Sequence, residues 1–482
     1  MSLRLFGKNA VIYAIGNVGV RAASFLIIPL YTHSLSVNDF GLLMTLLLTT
    51  QLMLKVMNCG MWPGLVRFAK TCEKDNRISE LLGTSCTVNV LGGLAVTGVS
   101  LTLLIPFFRS VLHSQDVYAY IGLACGISLL QSLSVHMMSY YRAQNKAVRF
   151  MVTGIMTAVV LFVASYMMLC VWQMGIIGAL LAKTVTYALI LLLISLDILR
   201  ITGFGVSFSL ARNLIQFGLP LLFSMSGEFV IRGASVYFLS LLSGLETVAI
   251  YSLGLKLASV LSIAIILPFQ LSFEPYVFAN LDSPRIKRRM SLLLTYLVLA
   301  VAGASFCILV GSRLLMPLIA PPEYSSPYTV ILLLLPGMTF WGVYYFAQTL
   351  LSAIQKTHIV GLAMTICVAL CIPLNYILIR ALSSYGAIIA SNVTLVSIGS
   401  ALLIISLRKF PIPIEKTRIC IAAGLLVLFL FVLFVVRDTD LISYLVVASL
   451  TALGGTVLLF TFRFFDHDER LLIRKLIPSC YR

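Results

Sequence analysis

Residues 217–235 read FGLPLLFSMSGEFVIRGAS, and residues 6–24 read FGKNAVIYAIGNVGVRAAS. Phe6-Gly7, Gly16-Asn17, Arg21 and Ala23-Ser24 recur as Phe217-Gly218, Gly227-Glu228, Arg232 and Ala234-Ser235, each 211 positions later and without a gap. Further along, Ala143 and Lys146 answer to Ala353 and Lys356 at an offset of 210, and Gly175 and Ala179 to Gly386 and Ala390 at 211. Chance matches in an apolar alphabet would not keep Arg and Gly in register over such a distance, so the chain is read as a duplication.

Each copy is built of apolar runs. The 482 residues are 60% hydrophobic and only 11% charged, with a mean hydropathy of +1.04, which excludes a soluble globular chain. A membrane-spanning helix needs about 20 mostly apolar residues. Runs of that length bounded by charges occur at 10–31, 40–63, 81–108, 117–140, 150–171, 176–197, 214–241, 247–273, 290–312, 328–353, 359–379, 386–407, 419–436 and 441–462. The expected fold is an all-α polytopic membrane protein of about 14 transmembrane helices. Residues 1–200 form one six-helix bundle, 212–410 its repeat, and 418–482 two additional helices with a tail. Six is even, so both copies enter the membrane in the same direction, as a parallel repeat about an axis along the membrane normal.

Charge supplies the orientation. Lys and Arg number 34 against 17 Asp and Glu, a net +17, which in a soluble chain would suggest nucleic acid. Here 25 of the basic residues fall in alternate connections, such as the cluster Arg285, Lys287, Arg288 and Arg289, while the opposite connections hold only Arg109, Arg313, Arg380 and Arg437. By the positive-inside rule the N- and C-termini are cytoplasmic, and no nucleic-acid partner is called for. The first run is read as a helix rather than a cleaved signal peptide. The ten cysteines are scattered singly and show neither a disulfide framework nor a zinc spacing, so no metal is expected.

Five cations remain inside spans: Arg21, Lys55, Lys183, Arg232 and Lys256, with Glu228 as the single acidic residue in their interior and Asp197 at the last position of the run 176–197. A charge at the bilayer centre costs roughly 3 kcal/mol even on the most lenient scale, so such residues snorkel, pair or line a wet cavity. Their polar neighbours follow helical spacing: Asn17, Arg21 and Ser24; Gln51, Lys55 and Asn58; Ser224, Glu228, Arg232 and Ser235; Ser252, Lys256 and Ser259. Four such stripes imply a shared hydrophilic, cationic interior. Its excess of positive charge suits phosphate or diphosphate, which guanidinium groups bind bidentately and ammonium groups as point charges. Two readings stay open for Glu228 and Arg232, one helical turn apart: an internal ion pair, or a carboxylate that couples proton movement to transport.

Lys8-Asn9 through Arg21, Phe25 and Pro29 to Asp39-Phe40-Gly41-Leu42, then Arg67-Phe68, resembles the opening of the polysaccharide transporter family of the multidrug/oligosaccharidyl-lipid/polysaccharide flippase superfamily. A second signature is similar: Leu351-Ser352-Ala353 with Lys356-Thr357, Pro373-Leu374-Asn375-Tyr376, and Tyr385-Gly386-Ala387 to Ala390. The resemblance covers the first twelve spans. It implies two facing six-helix bundles and alternating access of undecaprenyl-diphosphate-linked oligosaccharide from the cytoplasmic to the periplasmic leaflet, as in Wzx-type O-antigen flippases of lipopolysaccharide synthesis. It further implies the bacterial inner membrane as location, membrane lipid as surroundings, and a polysaccharide polymerase and chain-length proteins as partners. No bound cofactor is implied, only coupling to H+ or Na+.

The competing classes leave weaker traces. A lipid II flippase would also need a cationic cavity and fourteen spans, but the signatures are closer to the polysaccharide branch. The multidrug branch relies on membrane carboxylates, against one acidic and five basic residues in the span interiors here. An enzyme such as a polysaccharide polymerase or membrane glycosyltransferase would carry catalytic groups on a large outer loop, whereas the longest one, 312–327, offers only Arg313 and Glu323. No catalytic residues are therefore assigned. No GxxxxGK[ST] phosphate loop occurs, so a nucleotide does not drive transport.

Overall fold

The computed structural model describes residues 25–464 apart from 59, 76, 112–115, 145, 203–204, 282, 284–285, 325–326 and 463. Arg21, Asn17 and Ser24 lie outside the described residues. Among those described, every regular element is helical. In chain order the helices are α1 (Ile28–Ser34), α2 (Val37–Asn58), α3 (Met61–Lys74), α4 (Ile78–Val111), α5 (Val117–Ala143), α6 (Ala147–Tyr166), α7 (Gly175–Thr202) and α8 (Phe208–Leu242). They continue as α9 (Leu245–Ala258), α10 (Leu267–Asn280), α11 (Ile286–Ile319), α12 (Pro327–Ala353), α13 (Thr357–Lys409), α14 (Lys416–Val435) and α15 (Leu441–Thr461). Two π-helical turns interrupt them, Met167–Val171 after α6 and Ser262–Ile266 between α9 and α10.

The chain is a multi-pass membrane protein. Among the described residues 11 helical stretches are long and apolar enough to cross a bilayer. One of them, α13, is two helices meeting at Ser383, where φ is 51° and ψ is −125°. The 35-residue α8 occupies the place of the seventh expected span. Helices thus coincide with the expected spans from the second to the last, while most of the first lies outside the described residues. They overrun the apolar runs: α11 covers 286–319 where hydropathy marks 290–312. At 1.5 Å per residue its 34 residues are about 51 Å long, well beyond a hydrocarbon core of about 30 Å. Its first turns hold Lys287, Arg288 and Arg289, good helix formers that let the helix continue past the lipid.

Lipid offers no hydrogen bonds, so the backbone must satisfy itself and hydroxyls must find local partners. Thr45 donates to the Gly41 carbonyl at 3.1 Å, Thr49 to Thr45 at 2.8 Å and Ser128 to Ala124 at 2.6 Å, each one turn back along its own helix.

The expected repeat has local counterparts in the backbone. The amide of Lys146 donates to the carbonyl of Tyr141 at 2.8 Å, and that of Lys356 to Leu351 at 2.8 Å, closing α5 and α12 in the same way. Gln173 (φ 50°) and Ser383 (φ 51°) place left-handed residues at matching turns before α7 and within α13. At both positions the positive φ reverses the chain with almost no loop.

The chain forms two compact units, Met1–Leu253 with Pro317–Ser325 and Gly361–Thr394, and Gly254–Met316 with Ser326–Val360 and Leu395–Arg482. In the first, α5 packs against α2, α3, α4 and α7, and α8 lies on α2, α3 and α4. So α8, which opens the second sequence repeat, belongs by its packing with the helices of the first. The approach is close at Gly60, which takes φ 70° between α2 and α3, where a Cβ would lie 2.4 Å from the carbonyl oxygen of Gly218. In the second unit α10 meets α12 through a ring stack, Phe269 on Phe273 at 4.9 Å and Phe273 on Phe346 at 5.0 Å. Val298, Ala422 and Phe464 form a further small core there.

Candidate functional site

The charged group in the first unit is assembled by α8 and α2. Glu228 and Arg232 stand one turn apart on α8, with a guanidinium nitrogen 3.9 Å from a carboxylate oxygen. That exceeds the 2.7–3.2 Å of a hydrogen bond, so the pair attracts without clamping. Both side chains remain about one-third exposed, 32% and 34%. From α2, Lys55 directs its ammonium over the ring of Phe229 at 5.9 Å, and the charges of Glu228 and Arg232 both act on it. Three of the expected charged residues are therefore neighbours, two positive and one negative, on partly exposed helix faces. Such a group has a net positive charge and is partly open to its surroundings.

The other expected residues are placed differently. Lys183 sits half-buried on α7, within the first unit, and Lys256 half-buried on α9, within the second. Gln51 donates to Gln131 of α5 at 3.2 Å, tying two helices together. Asn58 is buried and its side-chain oxygen accepts the amide of Trp62 at 3.1 Å, holding the start of α3. Ser235, expected on the same polar face as Arg232, is 1% exposed. It donates to Asn375 at 2.7 Å and bonds Ser391 at 3.1 Å, and Ser391 in turn bonds the Tyr251 hydroxyl at 3.0 Å. Asn375 completes the network by donating to the carbonyl of Cys371 at 2.8 Å. Three residues apart on a helix is a net turn of only about 60°, so Arg232, about one-third exposed, and buried Ser235 share a face, and the boundary of the contact with α13 falls between them.

Sequence reasoning missed several partners. Tyr237 bonds Thr49 across α8 and α2 at 3.1 Å and meets Phe107 of α4 at 5.8 Å. His136 of α5, fully buried, lies 2.9 Å from the Ser85 hydroxyl of α4, and Ser132 donates to Asn89 at 3.0 Å one turn away. Asn375 was in view as part of the Pro373-Leu374-Asn375-Tyr376 signature, and its amide at helix centre was the available sign of a buried partner. Outside the spans, Arg77 donates to Glu80 at 2.7 and 3.0 Å, and this bond holds its guanidinium above the ordinary value. Arg67 stacks on Phe217 at 4.6 Å, anchoring the first turns of α8.

The fold is that of known transporters. A lipid II flippase MurJ structure in an inward closed conformation superposes with a TM-score of 0.72 at 14% identity, covering 94% of this chain and 99% of that one. An inward-facing multidrug resistance MATE transporter of the MOP superfamily gives 0.64 at 12% identity, over 86% and 96%. A MOP superfamily transporter from Pyrococcus furiosus, described as having a binding pocket of reverse polarity, gives 0.59 at 13% identity, over 87% and 96%. Comparison with curated protein sequences finds no match. A family profile described as "Polysaccharide biosynthesis protein" matches residues 6–280, more than half of the chain, and by that match the chain belongs to the polysaccharide biosynthesis protein family.

Proposed function

We propose that the chain is a flippase, not an enzyme, that moves a polyprenyl-diphosphate-linked oligosaccharide, an O-antigen or similar surface polysaccharide unit, between leaflets by alternating access. The observation that carries this reading is the group of Lys55, Glu228 and Arg232, charged and partly exposed inside a membrane fold shared with transporters. Family membership supports a glycan cargo. The basic connections support an inner-membrane orientation with both termini in the cytoplasm. In this mechanism Arg232 and Lys55 hold the diphosphate, the prenyl chain stays in lipid, and Glu228 moderates the positive field so that the anion is released. Arg21, Lys183 and Lys256 would be further cations for the headgroup. Coupling to H+ or Na+ would fall to Glu228.

Deletion of the gene tests the cargo: a complete lipid-linked repeat unit accumulates on the cytoplasmic leaflet if the reading holds. Unpolymerised units accumulating outside would point instead to a polymerase, and accumulated lipid II to the peptidoglycan branch. Arg232→Ala removes charge-assisted bonds worth about 1.5–3 kcal/mol, so export should fall by roughly tenfold or more at normal protein level. Unchanged export would end the assignment of Arg232. Glu228→Gln with transport and its proton dependence intact would leave Glu228 a structural partner only.

A further inference from the structure

A second polar feature lies within the second unit. Helices α10 and α11 form a hairpin, and between them runs a groove of about 440 Å³ lined by Phe269, Phe273, Leu293 and Tyr296. At its hairpin end Arg289 donates to the Tyr276 hydroxyl at 3.1 Å. Phe269 to Tyr276 and Arg289 to Tyr296 are each seven residues, so the groove follows about 10 Å of helix at 1.5 Å per residue. Arg289 is exposed, as are Lys287 and Arg288 beside it. Glu274 is exposed on α10 but does not line the groove. One end is thus a cationic hydrogen-bonding mouth, and the rest is an aromatic trough in a segment that spans the membrane. The volume falls within the roughly 300–1,000 Å³ of ordinary ligand sites.

The geometry points to a docking site for a polyprenyl phosphate, with the phosphate at Arg289 and Tyr276 and the first isoprene units along Phe269, Phe273 and Tyr296. The choice of lipid rests on the flippase reading above; the groove and its charge do not. Phosphate suits a guanidinium braced by a phenol, because the fork donates to two oxygens while the hydroxyl donates to a third. Branched, unsaturated isoprene units offer flat faces to the rings, where they bury apolar surface at full contact. A lipid captured here carries its phosphate at the level of the basic hairpin.

The test uses the purified full chain in neutral phosphatidylcholine nanodiscs, with a photoreactive polyprenyl monophosphate as probe and phosphatidylglycerol and inorganic phosphate as competitors. Crosslinks are expected within 269–296, with phosphatidylglycerol a poor competitor and inorganic phosphate ineffective. Arg289→Gln should weaken capture by about tenfold or more, and Arg289→Lys by less, since one charged bond is removed in the first and retained in the second. Ser272, exposed on the groove wall, provides a steric variant: Ser272→Trp should block capture, with circular dichroism checking the fold. Equal competition by phosphatidylglycerol would show general lipid contact and overturn the proposal. Displacement by inorganic phosphate would show a bare anion site, and capture unaffected by Arg289→Gln would remove the mouth; either result also overturns it. The probe carries no glycan, so failure here leaves the flippase reading intact, and absence of glycan export leaves this binding result intact.

Discussion

Replacing Asn375 by alanine should destabilise the first unit through a defined set of bonds. The amide accepts from Ser235 at 2.7 Å and donates to the Cys371 carbonyl at 2.8 Å, and its side chain is 0% exposed. Interhelical hydrogen bonds in membrane proteins average about 0.6 kcal/mol and reach about 1.7. Alanine also leaves a small void, and truncation of a buried side chain costs more as the void stays open. Ser235 keeps Ser391 as a partner, so no hydroxyl is stranded, and the sum is about 1–3 kcal/mol. Tyr251→Phe removes only the outer link of the same chain of bonds and should cost about 0.6 kcal/mol. The measurement is reversible unfolding in mixed micelles, followed by circular dichroism, on both single variants and the double variant. Because the two residues are linked through the Ser235–Ser391 bond, the double variant should be less destabilised than the sum, by about 0.5 kcal/mol or more. An Asn375→Ala protein within about 0.3 kcal/mol of the parent, or strict additivity with Tyr251→Phe, would refute the reasoning.

Gly60→Ala should destabilise by about 2 kcal/mol or more in the same assay, since a left-handed φ costs a Cβ roughly 1–2 kcal/mol and the new atom would press on the Gly218 carbonyl; a neutral result would mean that α3 and α8 separate readily. Asp440 precedes α15 and accepts the Ser443 amide at 3.0 Å, and that bond holds its carboxyl below the ordinary 3.8. A depressed carboxyl contributes stability at pH above its unfolded value and loses it as pH falls through the folded one, so acidification below about pH 4 should lower the melting temperature less in Asp440→Asn than in the parent. Equal acid sensitivity would remove Asp440 as a contributor.

Span positions were readable because lipid imposes one rule, a run of apolar residues long enough to cross. Helix ends were less so: hydropathy marks where lipid stops, while Lys287 and its neighbours continue the helix beyond it. The kinked union of two spans at Ser383 depends on one φ angle and leaves no compositional trace. Of the candidate site, Lys55, Glu228 and Arg232 were legible as charges placed where charges are costly. Ser235 and Asn58 were not, because a stripe of hydroxyls and amides reads alike whether it faces water or another helix. Only their partners, Asn375 and the Trp62 amide, separate the two cases.

The π-helical turn at Ser262–Ile266 stands just before α10. Turns of this kind hold one residue more than the α-helix, and each residue swings the remainder of the helix by about 100°. Deleting a single codon there would turn Phe269, Phe273 and Tyr276 to another side while sparing the helix before the turn. The facing of this entire half-span is therefore set by one extra residue in the turn, independently of the residues that line the groove.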